Sequence, residues 1–183
     1  MLPYRVNNIK ISFKIDGQNV KKTLQLVAVS NPYVTKIDGN FFVLRKRFVY
    51  IIFFTGHVNC TKLTSLSEVK TSQNVLLEVI DQEKIAEDEL YLTSSPTVDN
   101  ICSSGEFAKR IRLLQFATFL HRENVRHRYN PQTFPGLNLK LCGISITVFT
   151  SCKFIAVGAK TQEDLVAGIK AFHERLMIFE RNE

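Results

Sequence analysis

Apolar and polar residues alternate along residues 6–15, the first strongly patterned segment of the chain. Ile9, Ile11 and Phe13 each follow a polar residue, and a period of two predicts a strand with one buried face. Asp16-Gly17 ends this strand. The next apolar residues fall at helical spacing and predict a helix over about 18–28. Asn31-Pro32 then breaks the helix, because the residue before a proline disfavours helical geometry.

The rest of the first half reads as a hairpin followed by a strand and a helix. Two apolar runs, 41–44 and 48–54, are separated by basic residues and predict the hairpin. Gly56 predicts a turn. A strand over 58–61 and a short helix over about 66–80 follow.

The second half repeats this order of elements. A strand opens at Val98, and a helix is predicted over 107–128. After it come a hairpin of 137–141 with 144–150 and a strand over 153–157. Thr161, with Asp164 three residues later, predicts the N-cap of a final amphipathic helix.

Short matches between the halves indicate an internal repeat. Asn8-Ile9 recurs as Asn100-Ile101, and Asn31-Pro32 recurs as Asn130-Pro131. The segment 53–57 matches 149–153. We therefore predict a single domain over 1–183, with repeat one at 1–90, an acidic connector at 81–96 and repeat two at 97–183. Two such halves predict an α+β fold: one antiparallel sheet with helices on one face and the other face left open.

Composition narrows the function. The chain has 24 Lys and Arg against 17 Asp and Glu, a net charge of +7, which favours an anionic partner. No apolar run approaches the length that spans a bilayer, and no secretory signal is visible, so no membrane partner is expected. The four cysteines form no C-x-x-C pair, and we expect free thiols and neither a metal nor a cofactor. The chain contains no catalytic sequence motif, so we expect no enzyme and no catalytic residues.

The residues expected on the open face suggest what it binds. They mix Asn and Lys with small apolar side chains: Asn8, Lys10, Asn59, Asn100, Cys102, Ile155 and Val157. Amide groups can donate to adenine N3 and thymine O2, the acceptors that A·T pairs show in the minor groove of DNA. Phe134 stands in the turn-like sequence Thr133-Phe134-Pro135-Gly136, where a core residue is less expected. An aromatic ring there could act as a wedge between base pairs.

These motifs resemble the core of the TATA-box-binding protein (TBP) family. The second half carries the resemblance with N-P-Q-T-F-P-G-L at 130–137, I-T-V-F-T-S-C-K at 146–153 and G-A-K at 158–160. The first half resembles the family more faintly, through 6–9, 53–57 and Cys60-Thr61. The resemblance implies a saddle of two pseudo-symmetric repeats, in which one curved antiparallel sheet carries the helices on its convex face.

The resemblance also implies the DNA-binding residues. Asn8 and Asn100 match the family's two central minor-groove asparagines. Phe134 and Phe149 match the intercalating pair of the second repeat, while Phe53 matches one member of the first pair and no Phe in 33–39 supplies its mate. Thr61 and Ile155 match groove-facing positions, and Val157 replaces the family's residue at a third. The phosphate-facing positions are matched by Lys140, Lys153 and Lys160, and His57 takes the place of a lysine there. From its charge, we also expect Arg45 of the first hairpin to contact phosphates.

The function implied is that of a general transcription factor. It would bend promoter DNA through the minor groove and nucleate a pre-initiation complex with basal transcription factors and RNA polymerase, in the nucleus or in a viral transcription compartment. The family's acidic contacts to transcription factor IIB are replaced by Asn130 and Gln132. The alternative is a TBP-like scaffold that works through protein contacts, with reduced or no TATA binding.

Overall fold

The computed structural model describes residues 1–81 and 89–182, so residues 82–88 of the predicted acidic connector lie outside the described residues. Four helices form in the described part: α1 (Val20–Ser30), α2 (Glu68–Asp81), α3 (Leu113–Arg122) and α4 (Gln162–Arg181). The eleven strands there are β1 (Tyr4–Asp16), β2 (Val34–Ile37), β3 (Phe41–Arg45), β4 (Val49–Phe53), β5 (His57–Leu63), β6 (Tyr91–Leu92), β7 (Thr97–Glu106), β8 (His127–Arg128), β9 (Leu137–Leu141), β10 (Ile144–Val148) and β11 (Lys153–Ala159).

The first compact unit, Asn8–Asp99, is called here the first-repeat unit. Its strands lie in the order β2-β3-β4-β5-β1, and each pairs antiparallel with its neighbour. The core lies on one side of this sheet, where Leu24 of α1 and Leu76 of α2 are fully buried. Tyr50 of β4 is also buried and donates from its hydroxyl to the carbonyl of Ser72 at 2.7 Å. Burial raises the pKa of the Tyr50 phenol.

The second compact unit, Met1–Asn7 with Asn100–Glu183, is called here the second-repeat unit. Its strands lie in the order β7-β11-β10-β9-β8, again antiparallel. Aromatic side chains fill its core: Phe172 of α4 contacts Phe154 of β11 with ring centroids 5.4 Å apart, and Phe116 of α3 contacts Phe179 at 5.1 Å. As predicted, Thr161 caps α4, and its hydroxyl and the Asp164 carboxylate form a reciprocal capping box.

Alternation along the strands decides which side chains reach the open face. In β1 the residues from Ile9 to Ile15 alternate between buried and half-buried, and β5 and β11 behave in the same way. The buried set packs under the helices of its own unit. The other set forms the uncovered face of each unit, and that face holds the candidate site.

The helix predicted over 107–128 is wrong at both ends. At its predicted start, the backbone N–H of Phe107 donates to the carbonyl of Cys152 at 2.9 Å and does not take part in a helix. Phe107 and Ile111 are buried without being helical. At the other end, His127 and Arg128 pair with β9 as β8. Long-range hydrogen bonds therefore override the helical spacing of the apolar residues.

Matching hydrogen bonds in the two units support the repeat seen in the sequence. The side-chain oxygen of Asn31 accepts from the N–H of Tyr33, and that of Asn130 accepts from the N–H of Gln132. Ile15 N–H donates to Gly56 O, just as Phe107 N–H donates to Cys152 O. Gly56 and Cys152 both have positive φ, at 87° and 61°. The sequence matches therefore correspond to matching turns.

None of the helices in the part of the chain that is described is both long and apolar enough to cross a membrane.

Candidate nucleic-acid interface

The uncovered face of the first-repeat unit is a ladder of cross-strand neighbours. One row runs Val43, Ile51, Asn59 and Ser12, and the adjoining row runs Arg45, Val49 and Thr61. His57 lies opposite Lys14 near the end of β5. The face therefore combines an apolar middle with hydrogen-bonding groups and exposed cations.

The uncovered face of the second-repeat unit has the same layout with different chemistry. Its main row runs Asn138, Thr147, Ile155 and Ser104, and Val157 lies opposite Ser145. Ile155 is 38% exposed, a large fraction for an apolar residue in a strand. Nearby Cys102 is half-buried, and this burial raises the pKa of its thiol. Unlike the rows of the first-repeat unit, which include Arg45, these rows carry no charged side chain.

Asn8 and Asn100 occupy equivalent positions, and their side chains are held in the same way. The Asn8 oxygen accepts from the backbone N–H of Lys62 at 2.7 Å, and the Asn100 oxygen accepts from that of Gly158 at 2.7 Å. Lys62 and Gly158 both have positive φ, 74° and 99°, and both lie at irregularities in strand register. Each amide oxygen is thus held by the backbone, and the NH₂ group of each side chain can act as a hydrogen-bond donor. Sequence reasoning found these residues but not the bulges that orient them.

The predicted pair in the second-repeat unit is brought together. The rings of Phe134 and Phe149 have centroids 6.1 Å apart in an edge-to-face arrangement, and Phe134 is 44% exposed in the loop before β9. Asn130 shapes that loop, since its carbonyl accepts from Phe134 N–H at 3.0 Å. Gly136 lies against both rings: a Cβ at this position would stand 2.7 Å from Phe134 Cε1 and 3.0 Å from Phe149 Cε1.

The expectation that Phe53 lacks a partner ring is wrong. Phe41 lies opposite Phe53 in the β3–β4 ladder, and their ring centroids are 5.7 Å apart. The Nζ of Lys36 lies 5.3 Å from the centre of the Phe41 ring. Residues 33–39 contain no Phe, but the antiparallel register supplies one just after them. Both units therefore present an aromatic pair.

The predicted basic positions are all accessible: Arg45, His57, Lys140, Lys153 and Lys160 are exposed. Lys153 has an acidic neighbour, Glu106, at 3.8 Å, but both side chains are more than half exposed and the pair is weak. The predicted groove-facing residues Thr61 and Val157 are half-buried on the uncovered faces of their own units. Within the described residues, no group of three or more His, Cys, Asp or Glu side chains could hold a metal ion.

A polar cluster in the first-repeat unit was missed by sequence reasoning. Asp99 accepts a hydrogen bond from the Ser12 hydroxyl at 3.0 Å and forms an ion pair with Lys10 at 3.3 Å. The sequence marked Lys10 as a residue of the open face but gave no sign of its partner. A carboxylate is unexpected on a face that is predicted to bind DNA, because DNA is itself negatively charged. The partners of Asp99 are nearly ninety residues away along the chain.

Comparison with known proteins agrees with this geometry. Residues 95–179 match the family model described as transcription factor TFIID (or TATA-binding protein, TBP). A TATA-box-binding protein of Picrophilus torridus is 32% identical over 117 residues, which are 63% of this chain and 61% of that protein. A TATA-box-binding protein of Pyrobaculum calidifontis is 26% identical over 180 residues, 94% of this chain and 85% of that protein.

Among solved structures, Methanococcus jannaschii TBP superposes with a TM-score of 0.78 at 22% sequence identity. The match covers 95% of this chain and 98% of that one. It confirms the predicted α+β fold. The match to the Picrophilus protein spans less than two thirds of that relative's length. The relatives named here are called TATA-box-binding proteins, which agrees with the prediction that the chain is not an enzyme.

Proposed function

Because this chain belongs to the TATA-box-binding protein family as a divergent member, we propose that it is a transcription initiation factor that binds and bends double-stranded DNA. The uncovered faces of its two units bind the minor groove. The bent complex then recruits basal transcription factors and RNA polymerase. We expect this function to need no metal or cofactor.

The duplicated asparagine geometry is the observation that carries the proposal. Asn8 and Asn100 each have their oxygen bound by a backbone N–H of their own unit, so each presents an amide donor outward. The minor groove of A·T pairs offers only acceptors, adenine N3 and thymine O2. Two fixed donors on faces that mix apolar and polar side chains are suited to that surface.

The aromatic pairs supply the bending. A ring inserted between base pairs unstacks one step at a cost of a few kcal/mol, which wider contact with the bent duplex offsets. Phe134 and Phe149 form one wedge, and Phe41 and Phe53 form the second. Exposed cations at Arg45, Lys140 and Lys160 then contact phosphates and give affinity without sequence preference.

Two binding measurements test this function. We expect an A·T-rich duplex to bind more tightly than a G·C-rich duplex in a mobility-shift assay. Energy transfer between dyes on the duplex ends should rise on binding, because bending brings the ends together. The double variant Asn8→Ala with Asn100→Ala should lose both effects while keeping the thermal stability of a folded protein. Equal affinity for both duplexes with no change in energy transfer would refute the proposal.

One observation favours the scaffold alternative, in which protein contacts matter more than DNA. A groove beside α3 is lined by three arginines and one carboxylate around the half-buried ring of Phe119: Arg110, Arg112, Arg122 and Glu123. Among the described residues none of these arginines has an ion-pair partner. Cations beside an apolar ring fit an acidic segment of a partner protein. Charge reversal at Arg112 should weaken such a partner without altering DNA affinity.

The identity of the partners is part of the proposal. Asn130 and Gln132 take positions where the family is acidic, and Asn130 uses its side-chain oxygen to hold the N–H of Gln132. We therefore expect weakened binding of a factor IIB-like protein that relies on negative charge there. The predicted nuclear localisation stays a prediction, since the relatives compared are archaeal.

A further inference from the structure

We propose that Asp99 reads a G·C base pair, by accepting a hydrogen bond from the exocyclic N2 amino group of guanine. This inference rests on the proposed minor-groove function. It adds a second base preference, so the first-repeat unit would favour a site that is not purely A·T.

The Asp99 carboxylate is fixed in place rather than free to turn away. Oδ1 accepts from the Ser12 hydroxyl at 3.0 Å, and Oδ2 lies 3.3 Å from the Lys10 Nζ. Both partners belong to the half-buried set of β1, the set that alternates with buried Ile9, Ile11 and Phe13. The side chain of Asp99 remains 29% exposed and that of Lys10 remains 40% exposed. The carboxylate is therefore accessible from the uncovered face.

The chemistry of the groove identifies the ligand. A carboxylate only accepts, and each of its oxygens keeps acceptor capacity beyond the one contact made here. In the minor groove, guanine N2 is the one base group that donates. Asn8 is less suited to this purpose, because its single side-chain oxygen already accepts from Lys62, whereas the carboxylate has two oxygens and a negative charge. Lys10 offsets the repulsion between the carboxylate and the DNA phosphates.

The equivalent positions in the second-repeat unit lack this charge. There Asn7 donates from its amide to the Ser104 hydroxyl at 2.8 Å, where the first-repeat unit has Asp99 and Ser12. Cys102 takes the place of Lys10. The preference for guanine should therefore belong to one half of the site only.

Inosine isolates the proposed hydrogen bond, because it differs from guanine only in lacking the N2 amino group. A single G·C pair is moved along an A·T-rich duplex, and affinity is measured by fluorescence anisotropy. At the best position, guanine is then replaced by inosine. We expect about tenfold weaker binding, the usual size of one hydrogen bond to a charged group. Asp99→Ala should bind the two duplexes equally.

Two further variants keep the test decisive. Glu174→Ala removes one negative charge from the exposed side of α4 and should still distinguish guanine from inosine. Asp99→Asn keeps the side-chain shape in case the alanine variant folds poorly, and should show reduced discrimination. Binding that is indifferent to inosine at every position, or discrimination that survives in Asp99→Ala, overturns the inference and leaves minor-groove binding intact. Failure to bind any duplex overturns the proposed function as well.

Discussion

The side-chain oxygen of Asn8 accepts the backbone N–H of Lys62 at 2.7 Å, at a bulge where Lys62 has a φ of 74°. A residue other than glycine adopts this conformation only against a steric penalty. The contact occupies the acceptor oxygen of Asn8, so that the amide acts mainly as a donor. Asn100 and Gly158 repeat the arrangement with glycine at the strained position. The bulge thus connects backbone geometry to DNA recognition.

Exchanging the amide of Asn8 for a carboxylate separates its two roles, which are to accept the hydrogen bond from Lys62 and to donate one to DNA. In Asn8→Asp the carboxylate still accepts from Lys62, so the melting temperature should change little. The outward donor is lost and a charge faces the phosphates, so DNA affinity should fall at least about tenfold. The same exchange at exposed Asn19, whose side chain makes no capping bond, is the control and should change affinity less than twofold. If both variants lost DNA affinity equally, the added negative charge alone would explain the loss, and the proposed role of the Asn8 donor would be contradicted.

The aromatic pairs predict which residues bend DNA. Phe134→Ala with Phe149→Ala should remove most of the bend measured by energy transfer, because Phe134 is already 44% exposed in the unbound protein. Phe41→Ala with Phe53→Ala should remove a smaller share. Leu114→Ala deletes a side chain that is 71% exposed on α3, and should leave the bend unchanged. An unaltered bend in both double variants would contradict the wedge assignment.

A substitution at Gly136 tests the Phe134–Phe149 wedge without removing either ring. An alanine methyl would lie 2.7 Å from Phe134 Cε1 and 2.7 Å from Thr147 Cγ2, so the ring must move. We expect Gly136→Ala to reduce the bend while leaving the salt dependence of binding unchanged. Gly39→Ala has open space for its methyl group and should behave as the wild type. If both alanine variants bend DNA equally, the position of the Phe134 ring does not matter.

Salt dependence counts the phosphate contacts. If about six phosphates are neutralised, the slope of log K against log salt is about −5. Replacing Lys140, Lys153 or Lys160 by alanine should each flatten the slope by about 1 and weaken all sequences alike. Lys70→Ala, at an exposed position on α2, should leave it unchanged. A salt-independent affinity would favour the protein-scaffold function.

Glu68 predicts how stability responds to acid. Its carboxylate accepts from Thr64 N–H and from the Arg47 guanidinium, each at 2.8 Å. The Thr64 backbone hydrogen bond and then Arg47 hold the pKa of Glu68 below its ordinary value of 4.5. Stability from this group is thus fully present above 4.5 and is lost as pH falls through the lowered value. Glu68→Gln should melt at a temperature that depends less on pH between 5 and 3. An unchanged pH dependence would show that these contacts do not stabilise the fold.

Sequence patterning predicted the fold well where local periodicity and tertiary packing agree. The alternation of Ile9, Ile11 and Phe13 and the capping box at Thr161 both correspond to observed elements. The prediction failed where a hydrogen bond between residues far apart in the sequence determines the local structure. The N–H of Phe107 donates to the carbonyl of Cys152, and Phe107 does not start a helix. The contacts of Phe41 with Phe53 and of Asp99 with Lys10 depend on strand register and packing across the fold, which no local pattern encodes.

Binding through the minor groove is the central claim, and one affinity ratio tests it most directly. An A·T-rich duplex is compared with the same duplex in which every A·T pair is replaced by inosine·cytosine. The exchange alters the major-groove groups but leaves a minor groove that offers only acceptors. Measured by fluorescence anisotropy at one salt concentration, the two affinities should agree within about threefold, less than the loss expected for one mismatched base pair. A loss of a hundredfold or more on the inosine duplex would mean that the protein reads the major groove, and would contradict the account.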